Sequence, residues 1–324
     1  MTSKREKLLW IGYALVLILL FLMSSTDLII KEEKNEIYPI SVIVEEASDD
    51  YYVNFKKGMD QAAIDYHADI SFITLYERKQ SQQQQDLITR ELNDGTRAII
   101  LSPVDDSAIA AALDDGRISG PLVMINSELT HNKISAGISI DYYEAGRILA
   151  QKMTETTDPA TPVYLLSEAR TDRVNTRMYD GILSVLQERG YVSRMLKFNS
   201  PDQYHRIAKE LVDQEHQEAI VMALDLESLT RMAEILDENP IYREGIRGFY
   251  GMGTTLETLN YLDEGIIDGM IVANDFIQGY LSVEKAVEAI QNTGTHETIQ
   301  TEYFYINKEN IRKKEYQKLL YPID

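Results

Sequence analysis

From Tyr38 onward, short apolar runs alternate with segments of helical period, and this alternation is what most limits the fold. The candidate strands are ISVIV (40–44), ISFITL (70–75), RAIILS (97–102), PLVMIN (121–126) and KISAGISI (133–140), then PVYLLS (162–167), VSRMLKF (192–198), EAIVMAL (218–224), IRGFYGM (246–252) and IDGMIVA (267–273). Helical stretches separate most of them. In QQQQDLITRELNDG, Leu87, Ile88 and Leu92 fall at helical spacing and Gly95 supplies a stop, and SAIAAALDDG repeats the pattern. Strand–helix–strand alternation implies parallel sheets with helices on both faces. Ten strands are too many for one small sheet, so two sheets and two lobes are expected. The glutamine run QSQQQQ (80–85) reads as the exposed start of a helix.

The N-terminus has a different character. MTSKREK is basic, and residues 8–26 carry no charge. Nineteen residues at a helical rise of about 1.5 Å would span roughly 28 Å, close to the hydrocarbon thickness of a bilayer. Lys4, Arg5 and Lys7 precede the run, which favours a cytoplasmic N-terminus and an extracytoplasmic remainder. A cleaved signal peptide is the rival, but FLMSSTDLII offers only a weak small-residue cleavage pattern. The expectation is a single-pass anchor in the cell membrane over residues 1–30 and a solvated spacer over 31–37.

Composition excludes several functions. With a formal net charge of −20, the chain would be repelled by nucleic acid and anionic lipid. It contains no cysteine, which removes disulfides, thiolate metal sites, thiol catalysis and lipidation at cysteine. The five histidines are scattered, and neither a P-loop, a dinucleotide loop, a zinc-protease motif nor a nucleophile elbow is present. GFYGMG (248–253) has the wrong glycine spacing for a dinucleotide loop and reads as a tight strand-to-helix turn. No cofactor or metal is implied, and an enzyme, for example a glycosidase with a hidden carboxylate pair, is the weaker class.

One stretch raises a question of its own. In ASDDYYVNFKKGMDQAA (47–63), two acids and two tyrosines stand where the first strand gives way to a helix. Several segments of this kind, taken in order, carry a resemblance. YYVNFKKGMDQAAIDYHADI has an aromatic pair before a glycine and two alanines. AIILSPVDDSAIAAALDDGRISGPLVMINSE places a proline after its first strand and Gly-Pro before its second. SIDYYEAGRILAQKM, IVANDFIQGYLSVEKAVEAI and YINKENI follow. Together these segments resemble the type 1 periplasmic binding proteins of the ribose- and galactose-binding kind, and the effector domains of lactose-repressor-like regulators.

The resemblance implies an α/β fold of two Rossmann-like lobes with parallel sheets, joined by a three-crossing hinge near Asp141, Asn274 and Thr301. One lobe would comprise residues 38–141 plus 274–300, the other 142–273 plus 301–324. It also implies ligand-binding residues in the cleft. Tyr51 and Tyr52 would stack on the apolar face of a sugar, with Asp49 as a rim acceptor. Asn126, Ser127, Asp141, Arg177 (with Arg173 as a competitor), Asp225 and Asn274 would take hydroxyl groups. The residues alone leave other roles open: helix caps for Asp49, Asp141 and Asp225, a turn for Asn126 and a surface ion pair for Arg177. The expected function is non-enzymatic: an anchored solute-binding protein that closes on a carbohydrate for an ABC-type permease. A ligand-sensing partner of a membrane sensor kinase or chemoreceptor is the alternative. A DNA-binding regulator would need a basic helix-turn-helix that residues 1–36 lack.

Overall fold

A computed structural model describes residues 4–25, 36–45, 52–168, 173–198, 200, 202–213, 218–294 and 296–320. The chain divides into two compact units, Met1–Ile37 and Tyr38–Asp324. The first contains helix α1 (Lys4–Ser25), whose apolar side chains from Leu8 to Leu22 are exposed. Among the described residues no helix is long and apolar enough to cross a membrane. Thr26 and most of the expected spacer lie outside the described residues.

In chain order the second unit runs β1 (Tyr38–Val44), α2 (Val53–Tyr66), β2 (Ala68–Thr74), α3 (Ser81–Asn93), β3 (Ala98–Leu101), α4 (Asp106–Asp114), β4 (Leu122–Ile125), β5 (Ala136–Ser139), α5 (Tyr142–Thr154), β6 (Val163–Glu168), α6 (Arg173–Arg189) and β7 (Ser193–Phe198). It continues with α7 (Asp202–Asp213), β8 (Ala219–Ala223), α8 (Leu226–Glu238), α9 (Pro240–Glu244), β9 (Ile246–Met252), α10 (Leu256–Glu264), β10 (Gly269–Ala273), α11 (Asp275–Ile290), β11 (Glu297–Gln300), β12 (Tyr303–Ile306) and α12 (Lys314–Leu320). All ten expected strands are present.

They form two six-stranded sheets, ordered β11-β5-β4-β3-β1-β2 and β12-β10-β9-β8-β6-β7. Every pairing is parallel except that of β10 with β12. Both sheets are covered on two faces, which is why their central strands are apolar throughout rather than alternating. In β1, Ile40, Val42 and Val44 pack beneath α2 and α11, while Ile43 points to the face covered by α3 and α4. In β8, Val221 faces the α8 and α10 side and Ile220 and Met222 face α5 and α6.

The chain passes between sheets three times. After β5 of the first sheet, α5 packs on the second. After β10 of the second, α11 packs on the first. Finally β11 and β12, neighbours in sequence, belong to different sheets. Four glycines hold α11 and α5, which begin at two of these passages, close against α2 and α6. A Cβ on Gly58 or Gly279 would meet a backbone oxygen of the facing helix at 2.0 Å, so α2 and α11 touch backbone to backbone. Gly146 and Gly181 do the same for α5 and α6, at 2.3 and 2.0 Å. The same device therefore fixes a helix pair in each lobe.

One local reading is corrected. The glutamine run at the start of α3 is not wholly exposed, because Gln84 is fully buried. Its Nε2 donates to the Ser102 carbonyl at 2.8 Å and its Oε1 accepts from the Val104 N–H at 2.9 Å. It thereby satisfies the backbone where β3 ends, at the edge of the cleft.

Candidate functional site

The carboxyl ends of strands from both sheets converge on one cavity of about 580 Å³, within the ~300–1,000 Å³ usual for small-molecule sites. From the first sheet come Glu45 after β1, Tyr52, Arg78 after β2, Ser102 and Pro103 after β3, and Asn126 after β4. The second supplies Glu168 ending β6, Val174 and Asn175 of α6, Leu224 and Asp225 after β8, and the turn Met252–Thr255. Ala273 and Asp275 flank the passage from β10 to α11, and Glu227, Thr230, Arg231, Glu234 and Glu257 fill the mouth of the second lobe. Open parallel sheets leave such crevices beyond their strand ends, where chains diverge and helix N-termini begin.

Local structure explains the positions. Asn126 adopts φ +49°, a left-handed turn that asparagine tolerates, and its Oδ1 accepts from the Tyr142 hydroxyl at 3.3 Å. Asp225 caps α8, accepting from the Ser228 N–H at 2.9 Å, and also takes the Glu168 N–H at 2.9 Å. Burial pushes its carboxyl above the usual carboxylate range despite those bonds. GFYGMG does form a strand-to-helix turn. Gly253 has φ +130°, and Thr255 caps α10 in a reciprocal box with Thr258.

Charged groups bridge the two lobes across this cleft. Arg78 Nη2 lies 3.1 Å from Glu168 and its Nη1 lies 2.9 Å from Glu227. Lys79 Nζ reaches Glu168 at 3.0 Å, and the Lys79 N–H donates to Glu45 at 2.6 Å. Burial works against the Glu227 charge, but bonds and charge from Arg231 and Arg78 outweigh it and hold its carboxyl below the usual range. Farther out, Arg177 Nε pairs with Glu128 at 3.1 Å and its guanidinium lies 5.1 Å from the Tyr143 ring centroid. Ion pairs of this kind add little net free energy, since desolvation offsets much of the attraction.

Of the residues expected from sequence, Tyr52, Asn126 and Asp225 line the cavity. Tyr52 is 9% exposed, its ring set edge-to-face against Phe72 at 5.4 Å and Phe55 at 6.3 Å, so neighbouring core rings take much of its surface. Four others lie off the cavity. Ser127 is buried, donating to Asp106 at 2.7 Å. Asp141 caps α5 through the Glu144 N–H, and Asn274 caps α11 through the Ile277 N–H. Arg177 is held by Glu128 instead. Asp49 and Tyr51 lie outside the described residues, as does the Arg173 side chain. Arg78, Glu168, Glu227, Thr254 and Asp275 were not anticipated; Glu168, directly after the run PVYLLS, and Asp275, beside Asn274 at a crossing, had a positional signal. Among the described residues no group of acidic, histidine or cysteine side chains could hold a metal ion.

Comparison with known proteins agrees with this architecture. A family model described as periplasmic binding protein domain matches residues 40–294. A carbohydrate transporter solute-binding protein from Agrobacterium radiobacter, solved with D-arabinose, superposes with a TM-score of 0.78 at 18% identity, covering 87% of this chain and 98% of its own. A solute-binding protein from Agrobacterium vitis bound to α-D-tagatopyranose gives 0.76 at 18% identity over 88% and 99%. A glucose-galactose binding protein from Geobacillus stearothermophilus gives 0.74 at 18% identity over 86% and 99%. No curated protein sequence matches the chain. Two parallel-rich sheets, three passages between them and a cavity at their facing strand ends agree with the family match, and the chain belongs to the periplasmic binding protein domain family.

Proposed function

We propose that this protein binds a carbohydrate in the cleft between its two lobes and closes on it, without covalent chemistry, to deliver it to an ABC-type permease. The observation that carries this reading is the cavity itself, walled by strand ends of both sheets and lined with amide, carboxylate and guanidinium groups of the kind that pair with sugar hydroxyls. Sugars bound to proteins of the same fold support it. Residues 38–141 plus 274–300 and 142–273 plus 301–324 would move as the two bodies, and ligand groups bridging them would shift a pre-existing equilibrium toward the closed form. A thermal-shift screen of the full chain against pentoses, hexoses, nucleosides and amino acids tests the reading. A carbohydrate at about 100 times its dissociation constant adds roughly 2.7 kcal/mol of stability. Stabilisation by an amino acid or nucleoside and by no carbohydrate would contradict it.

The tether is part of the proposal. Although no helix among the described residues is by itself long and apolar enough to cross a membrane, the uncharged run of residues 8–26 would hold the protein there with its N-terminus cytoplasmic and its binding unit outside, since no cysteine is available for a lipid anchor. The exposed apolar side chains of α1 support this role. A helix tether serves a sensor kinase or chemoreceptor as well as a permease, and crosslinking in membranes with and without sugar separates the two partners.

A further inference from the structure

The charge in the cavity is unbalanced. Seven carboxylates line it against two guanidinium groups, with the Lys79 ammonium reaching one of them, Glu168, at 3.0 Å. Arg78 is engaged by Glu168 and Glu227, and Arg231 by Glu227 and Glu234. Asp225 accepts from backbone N–H groups. Asp275 differs from all of these. It opens α11 on the cavity wall, and among the described residues it has neither a hydrogen-bond nor an ion-pair partner. Its side chain is half-buried and open to the cavity, and desolvation with no compensating partner pushes its carboxyl up to about 7. A second group on the same cavity is also unsatisfied: Thr254 is 8% exposed and its Oγ1 has no hydrogen-bond partner.

A neutral sugar could give such groups hydrogen bonds but would leave the excess negative charge in place. An ammonium supplies the missing positive charge and three donors at one point. A buried carboxylate left without either is costly, and pairing it is the usual remedy. We propose that the ligand is a carbohydrate bearing a protonated amine, with Asp275 as the ammonium acceptor and Thr254 completing the polar wall. The inference rests on the carbohydrate reading above and narrows it. A neutral pyranose would occupy the same space with a weaker hold, because the Asp275 charge would then lose its solvation without gaining a counter-charge.

Calorimetry on the full chain at pH 7 with D-glucosamine, D-galactosamine, D-glucose and D-galactose tests it. At least one amino sugar is expected to bind ten-fold or more tightly than its neutral counterpart, and Asp275→Asn is expected to abolish that preference. Added salt should weaken the amino sugar more than the neutral one. Neutral sugars binding as tightly as their amines would overturn the ammonium site while leaving the carbohydrate reading intact. Binding of none of the four would overturn it as well, and the wider screen would then decide the carbohydrate reading by itself. A preference retained in Asp275→Asn would overturn the assignment to that residue. The wild-type comparison decides the ligand class even if the variant folds poorly.

Discussion

Asp225 and Asp275 are two acids at helix starts facing one cavity, yet their surroundings differ. Backbone N–H groups partly compensate Asp225, whereas Asp275 meets burial alone. A carboxyl raised to about 7 in the folded state and near 3.9 in the unfolded one binds its proton more tightly when folded. The stabilisation it brings is fully present below about pH 4 and is lost as pH rises toward 7. Asp275→Asn should therefore match the wild type at pH 4 and exceed it at pH 8 by about 1–4 kcal/mol, a rise of several degrees in Tm. Melting curves at the two pH values check this, and a variant less stable than wild type at pH 8 would show that Asp275 has a structural partner after all. At this scale the family resemblance pointed to Tyr52, Asn126 and Asp225, which line the cavity; Asn126 and Asp225 also stand at the ends of apolar runs, at the sheet edge. It could not reach Arg78, Glu227 or Thr254. These come from a loop, a helix flank and a turn, and only tertiary packing brings them to the cavity. Ser127 and Arg177 went to Asp106 and Glu128, partners that no local spacing reveals.

At the scale of elements ten strands, the edge strands β2 and β7 among them, were legible because apolar-rich runs alternate with helical segments. The edge strands β11 and β12 were not among the candidate runs, and β11 shows why. Its sequence ETIQ is mostly exposed and pairs only with β5, so it needs no apolar pattern. Gln84 was misread for the converse reason: a polar side chain is buried where the backbone after β3 needs both a donor and an acceptor. The glycine patterns in α2 and α6 acquire a physical cause in the backbone contacts of Gly58 and Gly181. Helix α1 poses the remaining element-scale question. If it anchors the protein, the chain will be recovered intact in the membrane fraction and resist carbonate and salt extraction. Mass spectrometry of the mature protein decides this, and a new N-terminus near Ser24 with protein in the medium would contradict the anchor.

For the whole molecule, the fold predicts a particular kind of motion. The three passages between sheets are short and hydrogen-bonded to one another, Thr301 N–H to the Ser139 carbonyl at 2.8 Å and Asn274 N–H to the Glu302 carbonyl at 3.0 Å, so in the proposed function they would bend together while the Gly58–Gly279 and Gly146–Gly181 helix contacts stay fixed. Arg78 and Lys79 reach from the loop after β2 to Glu168 and Glu227 beside the second sheet, so in the proposed closure part of the interaction would be made by the protein itself. In that proposal a ligand would add to it by touching both walls at once. The most direct test is small-angle scattering of the full chain with and without a saturating sugar identified by the thermal screen, repeated for an Asn126→Ala, Asp225→Ala double variant. The account predicts a smaller radius of gyration on binding, and a double variant that binds at least ten-fold more weakly and fails to compact at the same sugar concentration. A sugar that binds the double variant as tightly as the wild type and compacts it equally would mean that the solute is held somewhere other than this cleft.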